Sequence, residues 1–260
     1  MPFVYKKIVF DAAVTSTLLY SSESWLTNNY KRIEKQYNQL VKCLLNVRKN
    51  TSINLCMVEA GIPPLKHVIE KKRCKFLKAK FEEIDLEQPF HFVYRFCRDN
   101  STPGFRFCER AVQYNTYRDP MSPQIVEVVR ENSETRTKLA TYVNELNSAL
   151  CVHQIYKTKV YIPDYERTAF TRLRLISHNL KIETGRWSRI PRESRVCQCK
   201  NVHVQTEKHV LLYCALTEQY RIQYDMLDYS NVSSLLNENV YMRELCKYVY
   251  NVLKIFDVRP

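Results

Sequence analysis

The sequence predicts a mainly α-helical protein, two helical lobes joined by an irregular, proline-rich linker. Glycine is scarce: Gly61, Gly104 and Gly185 are the only three in 260 residues. A sheet-rich fold with many tight turns normally uses more, because glycine reaches positive φ without a steric penalty. Leucine, lysine, arginine and glutamate are abundant and favour helix. Apolar residues recur at helical period on both sides of one proline cluster.

The elements follow in order. Between residues 5 and 20, Tyr5, Ile8, Val9, Ala12, Ala13, Ser16, Leu19 and Tyr20 fall on one helical face. Ser21 to Trp25 breaks the period, and Thr27, Asn28 and Asn29 offer caps for a second helix. Its stripe is Tyr30, Ile33, Tyr37, Leu40, Val41, Leu44 and Leu45. Its other face carries Lys31, Arg32, Lys35 and Lys42, with Arg48 just beyond. Ile53 to Gly61 reads as a short amphipathic helix stopped by Gly61 and Pro63-Pro64. A long helix over 64–84 follows, since proline fits a first helical turn. Between 66 and 80 it holds seven Lys or Arg, among them Lys71, Lys72, Arg73 and Lys75, against Glu70 alone.

Pro89, Pro103, Gly104, Pro120 and Pro123 then punctuate the chain, so the lobes are placed at 1–85 and 136–260, with a linker and short helices over 86–135. A helix resumes near 133–152, with Leu139, Val143, Leu146 and Leu150 in step. The last helix repeats Leu245, Tyr248, Val249, Val252, Leu253 and Phe256, with Asn237 or Asn239 as its cap. No internal repeat or low-complexity segment interrupts this order.

Composition bounds what such a protein does. Hydrophobic residues make up 45 % of the chain, enough to bury a core, and the net charge is +13. That excess points to a polyanionic partner: RNA or DNA first, an anionic membrane surface second. A basic protein with no nucleic-acid role is the plainer alternative. No apolar stretch approaches the roughly 20 residues of a membrane span. The 10 cysteines lack the spacing of a compact disulfide framework, and the apolar run after Lys6 and Lys7 is broken by Asp11. Reduced thiols in an intracellular protein, nuclear or cytoplasmic, are therefore expected.

Residues 165–200 hold seven arginines, at 167, 172, 174, 186, 189, 192 and 195, against three glutamates. A guanidinium forks onto phosphate oxygens and stacks on bases, so arginine enrichment favours structured contact with nucleic acid. Arg172, Arg174, Arg186, Arg189, Arg192 and Arg195, with the lysine-rich set of the 64–84 helix, are the candidate nucleic-acid contacts. Trp187 and His178 could stack on bases; a core or lid residue is the favoured reading of Trp187. Directly after this segment come Cys197, Cys199, His209 and Cys214. Three thiols and an imidazole complete a tetrahedral zinc shell, which would make a small Cys/His, zinc-knuckle-like element in the second lobe. His203 is an alternative nitrogen ligand, and buried cysteines packing as small hydrophobes are the alternative to any metal.

Thr171-Arg172-Leu173-Arg174, His178-Asn179-Leu180, Gly185-Arg186-Trp187, Arg195-Val196-Cys197, Glu207-Lys208-His209, Cys214 and Tyr220-Arg221 follow one another here. In order and approximate spacing they resemble the C-terminal region of non-LTR (LINE-type) retrotransposon reverse transcriptases, which runs from an arginine-rich stretch into a CCHC motif. Leu18-Leu19-Tyr20-Ser21-Ser22-Glu23-Ser24-Trp25 resembles the phrase after the palm in that family, and Leu44-Leu45-Asn46-Val47 with Glu59-Ala60-Gly61-Ile62-Pro63-Pro64-Leu65 resembles the thumb. The match covers roughly residues 5–80 and 165–222. Two departures stand out: Ile176 where the family frequently has glycine, and a single residue between the first two cysteines.

The family's aromatic-x-Asp-Asp signature is missing, and no Asp-Asp pair occurs anywhere in the chain. Polymerases need carboxylates that hold two Mg²⁺ ions, so no polymerase activity is expected of this chain. The resemblance implies a nucleic-acid-binding piece of such an enzyme, partnered by RNA or DNA and by the remainder of a reverse transcriptase. The competing reading is a non-catalytic helical scaffold for protein interaction, decayed or repurposed from the same source.

Overall fold

The computed structural model describes residues 1–22, 29–81, 92, 95–96, 99–100, 123–199 and 203–257. The protein is helical: among the described residues, the one antiparallel bridge pairs Val196 with Val204. The expected caps Thr27 and Asn28, and most of the expected 86–135 linker, lie outside the described residues. The described end of that linker carries a helix, Pro123–Ser133.

The first helical stretch begins as α1 (Phe3–Val9), passes through a π-helical stretch over Phe10–Thr15, and ends as α2 (Ser16–Leu18). Its buried side chains are Phe3, Phe10, Thr15 and Leu19, while Tyr5, Ile8, Val9 and Tyr20 are exposed. The expected stripe therefore faces outward except at Leu19. Two features defeat the simple period. The aromatic pair Phe3 and Phe10, seven residues apart, decides which side turns in, and the wider π turn shifts every later residue around the axis.

α3 (Lys31–Leu45) keeps its stripe better. Tyr37, Val41 and Leu45 are buried, and the Tyr37 hydroxyl donates to the Pro63 carbonyl at 3.0 Å. Leu40 departs, lying at the exposed rim. α4 (Ile53–Ala60) ends where Gly61 takes the left-handed conformation at φ 62°. A Cβ at Gly61 would also sit 2.8 Å from a Val152 methyl, so both conformation and space select glycine there. α4 is not amphipathic: Leu55 to Ala60 are all buried, Glu59 included. α5 (Leu65–Phe81) falls inside its expected range.

After α6 (Pro123–Ser133), α7 (Thr137–Thr141) runs into a second π-helical stretch, Tyr142–Leu146. The expected helix thus stops at Leu146, and Leu150 adopts φ 47° beyond it. α8 (Asp164–Arg174) and α9 (Lys181–Trp187) carry the first part of the arginine-rich segment. Two short helices, α10 (Glu218–Gln223) and α11 (Val232–Leu236), lead to α12 (Met242–Phe256). α12 buries Leu245, Tyr248, Val249, Val252 and Phe256 along α8, as its period predicts. Its first helical residue follows Tyr241; Asn237 and Asn239 do not cap it.

Buried side chains from Phe3 to Ile69 and from Val129 to Phe256 form one hydrophobic cluster. Bonds join the two flanks directly: Lys6 Nζ lies 2.5 Å from Asp164, the Arg48 amide donates to Ser177 at 3.0 Å, and Glu59 pairs with Arg174. The two helical flanks of the expected linker therefore share a core. Among the described residues, no helix is long and apolar enough to cross a membrane.

Candidate metal centre and basic surface

Cys197, Cys199, His209 and Cys214 converge, with their ligand atoms all within 4.8 Å of one another. Local backbone explains the convergence. The Cys197 amide donates to the His203 carbonyl at 2.8 Å, and the Gln205 amide donates to the Arg195 carbonyl at 2.8 Å. This antiparallel pairing of 195–197 with 203–205 places Cys197 beside Cys199. The turn of helix over His209–Tyr213 carries His209, and Cys214 caps its end, its amide closing on the His209 carbonyl at 2.8 Å.

Sγ of Cys197 and Sγ of Cys214 are 3.7 Å apart, and Cys199 Sγ is 3.3 Å from His209 Nε2. A disulfide would bring the sulfurs to about 2.05 Å. A tetrahedral ion with metal–sulfur distances of about 2.3 Å holds two sulfurs about 3.8 Å apart. The observed spacing fits that second arrangement, and all four residues are buried. The cluster can hold a metal ion.

The surroundings agree. Burial, then the neighbouring His203 and Arg221, lowers the proton affinity of His209, and a neutral imidazole is the ligand form. Burial raises the Cys214 thiol, so without a cation the thiol stays protonated; a bound divalent ion reverses that preference. Gln205 Nε2 points at Cys197 Sγ from 3.9 Å. Arg221 clamps the turn from behind, donating to the Cys214 carbonyl at 2.9 Å and to the Thr217 hydroxyl at 2.7 Å. These partners fix the ligand atoms' orientation.

The expected nucleic-acid contacts divide into three groups. Arg174 and Arg73 are fully buried, and placing them on a phosphate-binding surface is corrected here. Arg174 pairs with Glu59 and donates to the Leu236 carbonyl at 3.0 Å, and Glu59 also accepts from Tyr142 at 2.7 Å. Arg73 pairs with Glu70 at 3.0 Å and reaches the Ser22 carbonyl at 3.4 Å. A buried guanidinium persists because carboxylates and carbonyls satisfy it inside.

The second group is half-buried and partly engaged. Arg172 donates to Asn46 at the end of α3, at 2.8 Å. Arg186 pairs with Glu183 at 3.2 Å, and Lys72 reaches the Leu19 carbonyl at 3.1 Å. Arg195 caps the carbonyls of Ile190 and Ile182, at 2.7 Å and 2.9 Å, and crosses Gly185 so closely that a Cβ there would lie 2.7 Å from its side chain. The third group, Lys71, Lys75, Arg189 and Arg192, is exposed.

Trp187 is 46 % exposed. Arg48 stacks on one ring face at 4.1 Å and the indole N–H reaches Glu183 at 3.3 Å, so the residue joins α9 to the end of α3. His178 is buried against Glu207 at 2.9 Å and does not face solvent; its reading as a base-stacking residue is corrected. Burial would raise the Glu207 carboxyl, but the bond and charge of His178 outweigh it and hold the group below its usual range. His203 is exposed, its ring 5.5 Å from that of His209.

Composition and periodicity missed Lys208, Gln205 and Glu59. No periodicity marks Glu59, because its partners Arg174 and Tyr142 lie far along the chain. Compared with family models, curated proteins and solved structures, the chain finds no match.

Proposed function

We propose that this chain is a non-catalytic nucleic-acid-binding module, akin to the C-terminal part of a LINE-type reverse transcriptase, in which zinc orders an arginine-bearing surface. One observation carries the reading: the buried Cys₃His cluster stands directly after a segment that leaves Arg189 and Arg192 exposed. Three sulfurs and one imidazole suit zinc, and four protein ligands leave no open position, so the ion's role would be structural. Held by such a centre, the arginines would meet phosphates with less side-chain entropy to lose.

The family reading has its own support. Residues quoted from separate motif phrases meet in pairs: Glu59 with Arg174, His178 with Glu207, Gly185 with Arg195, and Arg221 with Cys214. Ile176, at the position where the family frequently has glycine, takes φ 50°, a conformation glycine adopts freely. The outward apolar face of Tyr5, Ile8 and Val9 would suit the remainder of a reverse transcriptase as partner. Free cysteines at the described positions fit a reducing, intracellular setting.

Anisotropy titration of the purified chain with unrelated RNA and DNA oligonucleotides tests the proposal. Binding with little sequence preference is expected, weakening by roughly 10³-fold between 50 and 200 mM salt if about six phosphates are neutralised. Primer extension with Mg²⁺ or Mn²⁺ should give no incorporation, since the chain carries no Asp-Asp pair. Failure to bind either polymer at low salt would favour the helical interaction scaffold instead.

A further inference from the structure

Beside the metal centre lies a cavity of about 340 Å³. Arg186, Arg192, Arg195 and Lys208 line it, with the carboxylates Glu145 and Glu207. Four cations against two carboxylates leave the lining at +2. Thr137 and Thr206 of the lining add hydroxyl groups, while the Thr141 hydroxyl donates to the Thr137 carbonyl at 3.0 Å.

The cations differ in how they are held. Arg195 is pinned by the Ile190 and Ile182 carbonyls, and Arg186 by Glu183. Both guanidinium groups are thereby oriented before any ligand arrives. Arg192 and Lys208 are exposed. The Arg192 side chain has no ion pair or hydrogen bond among the described residues, Lys208 Nζ lies 6.0 Å from the Tyr213 ring, and both charges act on Glu145 without a close pair. Of the carboxylates, Glu207 commits one oxygen to His178 at 2.9 Å, and Glu145 is exposed.

We infer that this cavity takes the terminal phosphate of a nucleic-acid strand. The inference rests on the nucleic-acid reading above and gives it a preferred ligand: a strand end. A phosphomonoester carries about −1.5 to −2 charge near neutral pH, matching the lining's excess of +2. An internal phosphodiester carries one charge and offsets half of that excess. Two oriented guanidinium groups supply forked donors for the terminal oxygens, while Arg192 and Lys208 close on them from the rim. Lys208 precedes the ligand His209 in sequence, so the metal centre fixes one wall of the cavity.

The test uses the full chain, loaded with zinc, and one short RNA sequence in three forms: 5′-phosphorylated, 3′-phosphorylated, and hydroxyl at both ends. Anisotropy at fixed ionic strength should show one phosphorylated form binding on the order of tenfold tighter than the hydroxyl form. The form preferred identifies the end recognised. The double variant R192Q/K208Q should erase the preference while its thermal melt stays that of the parent. K31Q/K35Q removes the same charge from an exposed face of α3 outside the cavity lining and should keep the preference, which separates the cavity from a general attraction. Equal binding of all three RNAs overturns the cavity's role and leaves general binding standing. A preference that survives in R192Q/K208Q, or vanishes in K31Q/K35Q, overturns it too. If none of the RNAs binds, the nucleic-acid reading fails and this inference with it.

Discussion

Arg174 and Arg192 belong to the same arginine-rich run, yet they serve different ends. Arg174 is fully buried, enclosed by Glu59, the Leu236 carbonyl and the end of α11. Arg192 opens a single turn of helix on the surface, just before Cys197, the first residue of the Cys/His cluster. The same contrast separates Arg73 from Lys71 and Lys75 on α5. Charge density in sequence therefore says little about where a charge points. What decides is a carboxylate placed to meet it inside: Glu59 from α4 turns Arg174 into part of the core, and Glu70, one turn earlier on α5, holds Arg73.

That comparison can be broken in several places. The largest effect is expected at the metal centre. Chelation, or Cys199→Ser, should unfold the hairpin and helical turn of residues 195–214, because structural zinc contributes on the order of 10 kcal/mol of folding free energy in small sites. Metal analysis should give one zinc per chain, and limited proteolysis in a chelator should open cuts within that segment. A metal-free protein with an unchanged cleavage pattern would reduce the cysteines to core residues.

Next comes the buried pair. Arg174→Ala should destabilise by about 3–5 kcal/mol, since Glu59 is left charged and unpaired in the core. The double change Arg174→Met with Glu59→Gln should recover part of the loss. A single variant as stable as the parent in urea would place Arg174 outside the core.

His153 gives a smaller, pH-dependent effect. Burial, reinforced by the charge of Arg174, pushes its pKa down to about 3. An unfolded histidine titrates near 6.5. Between these values the unfolded state binds the extra proton, so stability falls as pH drops below about 6.5, by up to about 1.4 kcal/mol per pH unit. Urea midpoints of the parent and of His153→Gln between pH 5 and 7.5 check this. An equal acid slope in both proteins would assign the effect to other groups.

Much of the helical frame was legible in the sequence. α12 and α3 follow their periods because each buries one side against a single large surface. α4 was not legible as a core helix. Its central Glu59 reads as a polar face, and only the distant Arg174 makes that carboxylate an inside residue. The first helical stretch was read on the wrong side, since Phe3 and Phe10 turn inward and the π turn then shifts the residues after it. All four residues of the Cys/His cluster were legible from residue type and spacing. The tight Cys197–Cys199 spacing is met by a hairpin whose pairing partner, Val204, carries no sequence signal. That Arg174 and Arg172 are engaged could not be read, because their partners Glu59 and Asn46 lie far along the chain.

The smallest effect on stability accompanies the most direct test of function. Arg189 and Arg192 are exposed, so R189A/R192A should change folding stability by no more than about 0.5 kcal/mol. If the two side chains meet phosphates, the slope of log affinity against log salt should flatten, by about 1.8 for duplex DNA and about 1.4 for single strands. The measurement is that slope, for the parent and for R189A/R192A, on two unrelated sequences. A flatter slope of equal size on both sequences, with an unchanged melt, is the predicted result. A variant that folds and binds with the parent's slope would contradict the account, because the surface left exposed beside the metal centre would then not be the one that meets nucleic acid.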